Sequence, residues 1–296
     1  VEKTSSPQQT RREEPVAPPN KRAAGSDLGS DRRGFAALAR DWGAIAAISW
    51  LSLRSESIAV YIAAVWLIGA FQFAIGESLI HEASHYHLFR TRAWNDRFEF
   101  LYALPFFMTV AQFRQEHLAH HRDVGTSRDE LLADYRLVGL LEPRIHAFWL
   151  WFVKPLTGFA GWFYWTKLSL KPSKCGVKIV AFWALVAAVA AYFGALRLVA
   201  LYWLVPMWWC HTSYLYWSEI QDHFATVSGT RSVVGGLSNG LWHNNGFHAV
   251  HHSRPAVPWY RLREAHREFV AAGKHPEQDI SSGFLETYRQ LRAASN

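Results

Sequence analysis

Residues 58–85 read IAVYIAAVWLIGAFQFAIGESLIHEASH. The run Ile58–Ile80 is long enough to cross a bilayer, which takes about 20 apolar residues in a helix. It passes directly into His81-Glu-Ala-Ser-His85. Helical residues four apart are neighbours on one face, so this box aims two imidazoles in one direction. Two further boxes follow: His117-Leu-Ala-His120-His121 and His248-Ala-Val-His251-His252. Neutral imidazole suits iron, copper, zinc and nickel. Eight such donors exceed one tetrahedral zinc site. They suit a pair of ions held between helices, as in di-iron bundles. A single HxxxH is commonly a surface pair, but three boxes in one chain point to a metal site.

Working outward, the spacing predicts three more spans. Residues 35–53 are the weakest, because reaching membrane length places Arg40 and Asp41 inside, where they pair or snorkel; the alternative is an interfacial helix. Residues 177–193 and 198–217 form a hairpin, with Lys171, Lys174 and Lys178 as cytosolic anchors. Residues 98–113 are too short to cross and return, so they dip or lie at the interface. Residues 145–168 read as an interfacial segment or a tunnel wall. An even number of crossings brings the third box back beside the first two. The fold expected is therefore all-α and integral to the membrane, with four transmembrane helices in two hairpins. A cytosolic helical cap holds the histidine-rich site. Residues 1–33 read as a disordered tail, 34–273 as the domain and 274–296 as a C-terminal tail.

The composition agrees. Half of the residues are hydrophobic and 15 are Trp, a residue that gathers at membrane interfaces. The net charge of +7 reads as positive-inside bias, not nucleic-acid binding, since no basic helix or RNA-binding signature accompanies it. No Walker loop or GxSxG is present, which argues against nucleotide-driven transport and serine hydrolysis.

Other polar groups join the boxes. His223 ends the last span in the same zone and is a candidate ninth ligand, with Glu219 one turn earlier. His81, His85, His117, His120, His121, His248, His251 and His252 are the candidate catalytic set. Glu77 precedes His81 by four residues; it is either functional or a glutamate at the membrane surface. Glu82, Glu116, Asp123 and Asp222 adjoin ligands, and carboxylates beside a site orient imidazoles. Asn244 precedes the third box, and Pro255, Pro258 and Trp259 turn the chain after it. His211 lies inside a span, where it lines a channel or bonds a neighbouring helix. His146 reads as an interface residue, residues 123–142 as solvated, and His266 as solvated on a final helix near 260–273.

At HEASHYHLF, FRQEHLAHH and NNGFHAVHHSRPAVPWYRL the chain resembles the membrane fatty acid desaturase and hydroxylase superfamily, bacterial type, from about residue 35 to 270. The resemblance implies a di-iron site facing the cytosol, in a bacterial inner membrane, with the eight box histidines as ligands and O2 as co-substrate. His223 matches the family's additional histidine; the family's Asn four residues earlier is Glu219 here. Lys274-His275-Pro276-Glu277 lacks the haem motif of a fused cytochrome, so an external donor of ferredoxin or cytochrome b5 type is implied. The expected reaction is desaturation of a fatty acyl or similar apolar chain. The alternatives are hydroxylation or ketolation of a lipid, carotenoid or small amphiphilic metabolite. From another class, a metal-binding or transport protein is the rival.

Overall fold

The computed structural model describes residues 29–124, 126–129, 131–140, 146–166 and 174–294. The first helix, α1 (Asp31–Ser55), starts where Ser30 accepts a hydrogen bond from the Arg33 amide and Asp31 complements the helix dipole. It stops where Glu56 turns left-handed. Gly34, Ala37, Leu38, Asp41 and Ile45 lie on its buried stripe. Residues 31–33 are thus helical, and the expected disorder of residues 1–28 falls outside the described residues, as does Lys171.

The second helix, α2 (Ile58–Ser84), is the one described helix long and apolar enough to cross a membrane. It packs antiparallel to α1. Its turn Ala74–Leu79 is π-helical, which shifts the register just before His81. Glu77 sits in that turn, so the simple four-residue alignment of Glu77 with His81 does not apply. At Gly69 a side-chain carbon would lie 2.5 Å from Cys210 Cβ, so glycine permits the close crossing of the later helical run.

Short 3-10 turns at Glu99–Leu101 and Leu104–Phe106 lead to α3 (Val110–Asp123), whose cap Thr109 accepts from the Gln112 amide. Next come α4 (Leu131–Leu137), α5 (Phe159–Thr166) and α6 (Lys174–Tyr192). The apolar part of α6, Gly176–Tyr192, is shorter than a full span. The helical run from Leu196 contains two π segments before α7 (Thr212–His223). The third box is α8 (His248–Ser253), followed by α9 (Leu262–Ala271) and α10 (Phe284–Ala294).

Three apolar cores hold the helices. Ile68, Ile75, Leu79, Leu88 and Tyr102 form one, Tyr135, Trp151, Phe163 and Ile220 another, and Phe247, Val250, Leu262 and Phe269 the third. The first and third boxes run alongside buried core residues, Leu79, Ile80 and Ala83 in one case and Phe247 and Val250 in the other.

Several expectations need correction. The all-α reading omits one small parallel pair, β1 (Ser232–Val233) with β2 (Ile280–Ser281). Of the expected tail 274–296, the described residues 274–294 include β2 and α10, and Thr287 and Leu291 are buried, so these residues are packed. Residues 123–142 are not simply solvated: Asp129, Tyr135, Val138 and Leu140 are buried. His266 is also buried, because Leu262, Ala265, His266 and Phe269 share the inward stripe of α9. His146 is exposed. His211 is buried against Phe106.

Candidate metal centre

Nine histidines meet in two adjoining groups. His81, His85, His117, His121 and His251 form one; His120, His223, His248 and His252 form the other. Within each group the candidate ligand nitrogens lie within 4.8 Å of one another. His81 comes from the last turn of α2 and His85 caps it; Tyr86, at φ 62°, then turns the chain away. One face of α3 supplies His117 and His121 to the first group, while His120 reaches the second. His223 is the last residue of α7, and α8 divides His251 from His248 and His252 in the same way. The groups touch where the His121 and His252 rings stack at 4.1 Å.

The nitrogens point at each other. In the first group, His117 Nε2 lies 2.9 Å from both His85 Nε2 and His121 Nε2, and His121 Nε2 lies 3.0 Å from His251 Nε2. In the second, His223 Nε2 lies 3.1 Å from His120 Nε2 and 2.9 Å from His248 Nε2. One proton per Nε2 cannot satisfy all the contacts in the four-nitrogen chain of the first group. Nε2 of His81 and both ring nitrogens of His252 are buried without a hydrogen-bond partner among the described residues. Leaving a buried polar group unmade costs about 1–3 kcal/mol. A cation in each group would satisfy these lone pairs together.

Spacing bears on geometry. With imidazole–metal distances of about 2.1 Å, ligands at right angles sit about 3.0 Å apart, whereas tetrahedral ligands sit about 3.4 Å apart. The observed contacts of 2.9–3.1 Å match the right-angle spacing. Protonation does not compete for the lone pairs. Burial first, and then neighbouring imidazoles, pushes His85 and His121 down to about 2. The same causes hold His117, His248, His251 and His252 well below the usual histidine range.

The family model described as fatty acid desaturase matches residues 56–280, a stretch that contains all nine histidines. The chain belongs to the fatty acid desaturase family. No curated protein matches it. As a fatty acid desaturase family member with two histidine clusters, it is an oxidoreductase of the desaturase and hydroxylase kind.

Around the nine histidines of this desaturase-family site, other groups orient the rings. Asp129 Oδ1 lies 3.1 Å from His120 Nδ1, and the Gly229 carbonyl accepts from His223 Nδ1 at 3.0 Å. Neither residue is suggested by the boxes. Asp129 stands in a charged loop and Gly229 in a turn, and nothing in their spacing marks them. Glu82 is buried 3.6 Å from His81 Nδ1, and its other oxygen accepts from the Trp259 amide at 3.1 Å. Asn244 donates to the Trp259 carbonyl at 3.0 Å, so it shapes the chain after the third box and holds no place in either histidine group.

The remaining carboxylates differ. Asp222 is buried and accepts from Ser218 Oγ at 2.9 Å. Asp123 pairs with Arg122 and Arg128, and Glu116 is exposed. Glu77 interacts electrostatically with Glu219 and Asp222. Glu219 lines a small cavity between α4, α5 and α7, with Tyr135, Val138, Phe163, Tyr164 and Tyr216. His243, outside the predicted set, is buried between α1 and the segment before the third box. Its Nε2 lies 2.7 Å from Asp41, which pairs with Arg40 at 2.6 Å. Arg40 in turn donates to the carbonyls of Gly240 and Leu241. The pairing expected of Arg40 and Asp41 therefore also ties α1 to the approach of the third box.

Proposed function

We propose that this protein is an oxygen-dependent, di-iron membrane desaturase that introduces a C=C bond into a fatty acyl or similar apolar chain. The observation that carries the reading is the convergence of nine imidazoles into adjoining groups of five and four. His81, His85, His117, His121 and His251 would hold one iron, and His120, His223, His248 and His252 the other. When bound, such a pair supplies the dioxygen chemistry needed to break an unactivated C–H bond. The chain's own groups prepare the site for it. Burial keeps the imidazoles neutral, and Asp129 and Gly229 select which ring nitrogen stays free.

Membrane insertion is supported by apolar side chains that face outward. Trp50, Leu51, Ile58, Ile62 and Leu67 on the first two helices, and Val177, Val180, Leu185 and Val189 on α6, are exposed. Soluble proteins rarely expose so much apolar surface. In this reading α1, α2, α6 and the run ending in α7 are the four spans, and the site faces the cytosol of a bacterial cell. Electrons come from a separate ferredoxin or cytochrome b5 type donor.

The test is iron-57 Mössbauer spectroscopy on protein purified in detergent, followed by turnover with O2, a reductant and defined acyl lipids. A coupled iron pair and a product lacking two hydrogens are expected. A product that gains oxygen would replace desaturation by hydroxylation. Zinc alone after growth in ample iron would overturn the oxidoreductase mechanism.

A further inference from the structure

We propose that Asp279 is a positioning residue for the four-histidine group, acting through the Gly229 carbonyl on His223. The inference rests on the di-iron reading of that group. It begins with the ring of His223. Nδ1 donates to the Gly229 carbonyl at 3.0 Å, which leaves Nε2, the atom facing His120 and His248, as the lone pair. If that carbonyl moves, the ring loses the contact that selects this tautomer.

The carbonyl's place depends on the loop after α7. Gly229 has φ +87°, and a side-chain carbon there would meet nothing within 4 Å. Backbone conformation, not crowding, therefore selects glycine at this position. The preceding residues are gripped by one carboxylate. Asp279 accepts from the Val227 amide at 2.9 and 3.1 Å, from the Ser228 amide at 2.7 Å and from Ser228 Oγ at 2.6 Å. Asp279 is 1% exposed, whereas the Val227 side chain above it is 74% exposed. The tip of the loop thus gains its order from the carboxylate and not from apolar packing.

The two ends of the loop have their own anchors. Thr226 Oγ1 donates to the His223 carbonyl, and the Arg231 amide donates to the Asp222 carbonyl at 2.6 Å. The Arg231 guanidinium also caps the carbonyls of Gln221, Phe224 and Ala225. Asp279 itself is fixed by its place at the end of a 3-10 turn, directly before β2, which pairs with β1 in the register Ser232 to Ile280. β1 also reaches the third box, because the Val233 amide donates to the Gly246 carbonyl at 2.7 Å, two residues before His248. The C-terminal segment therefore braces two separate contributors to one ligand group. Replacing Asp279 by Asn sets an NH2 group against at least one backbone N–H in either orientation of the amide, that of Val227 at one position and those of Val227 and Ser228 at the other.

The experiment is an anaerobic Fe(II) titration of metal-stripped full-length protein in detergent. Wild type, Asp279→Asn and Gly229→Ala are compared, with iron-57 Mössbauer spectra of each loaded form. Wild type should take up two ions. Both variants should weaken one binding event on the order of 10-fold, leave the other unchanged and reach the coupled-pair spectrum only at correspondingly higher iron. The retained ion at the five-histidine group reports that the variant is folded. Two unchanged events in Asp279→Asn would overturn the proposal, and so would equal loss of both events, which would mark a general structural role. Failure of wild type to bind two ions would instead remove the di-iron reading on which it rests.

Discussion

The carboxylate of Asp129 lies 3.1 Å from Nδ1 of His120, although the two stand on opposite sides of the end of α3. It is buried, and it is the one carboxylate held at hydrogen-bond distance from a box histidine among the described contacts. A carboxylate at Nδ1 fixes the tautomer and raises the basicity of Nε2. Asp129→Ala should therefore lower iron affinity of the four-histidine group by roughly 10- to 100-fold, with Asp129→Asn nearer the lower figure. Metal titration checks this, and an unchanged affinity in Asp129→Ala would remove Asp129 from the site.

The histidines separate into two groups, so their variants should separate too. His251→Ala removes a donor from the five-histidine group and His120→Ala one from the four-histidine group. Each should abolish turnover and reduce bound iron, and each should leave the other group's ion in place. Iron analysis with Mössbauer spectra distinguishes them. Normal turnover in either variant would defeat the proposed chemistry.

A third prediction concerns pH and His266. Burial first, and then the charge of His275, pushes His266 down to about 4, below its usual value near 6.5. The folded protein then binds fewer protons than the unfolded chain between these values. Stability from this group is complete above about pH 6.5 and is lost as pH falls toward 4. The buried Nδ1 of His266 has no hydrogen-bond partner among the described residues, so an apolar replacement forfeits little there. His266→Leu should flatten the fall in melting temperature between pH 6.5 and 4 relative to wild type, as measured by thermal unfolding in detergent. Parallel curves for the two proteins would refute the assignment.

These examples show which parts of the molecule were legible in the chain. Spacings of three and four residues mark the boxes because one helix carries each of them, and His223 stands out because it follows an apolar run. Asp129 and Gly229 reach the site through loops and tertiary contacts, for which no local period exists. The burial of His266 was legible, since Leu262, Ala265 and Phe269 spell the same stripe, but the charged residues between them masked it. The packed C-terminal segment was hidden for a different reason. β2 is two residues long, too short for alternation to register, and its partner lies nearly fifty residues away.

The last prediction is topological and rests on where α1 is tied. Arg33 stacks over the Tyr260 ring at 4.2 Å, and Arg40 bonds the carbonyls of Gly240 and Leu241. The beginning of α1 therefore shares an end of the molecule with the third box, while the turn at Glu56 lies at the other end of a 25-residue helix. At about 1.5 Å per residue such a helix is long enough for its two ends to lie on opposite faces of a bilayer. Single cysteines at Ser30, Glu56 and Ala272, probed with an impermeant thiol reagent in oriented vesicles, test this directly. Ser30 and Ala272 should report the cytosolic face, and Glu56 the opposite one. Ser30 and Glu56 reporting the same face would make α1 an interfacial helix. The two crossings between the first and third boxes, α6 and the run ending in α7, would be unaffected, so the histidine groups would still meet on one face and only the N-terminus would change its side.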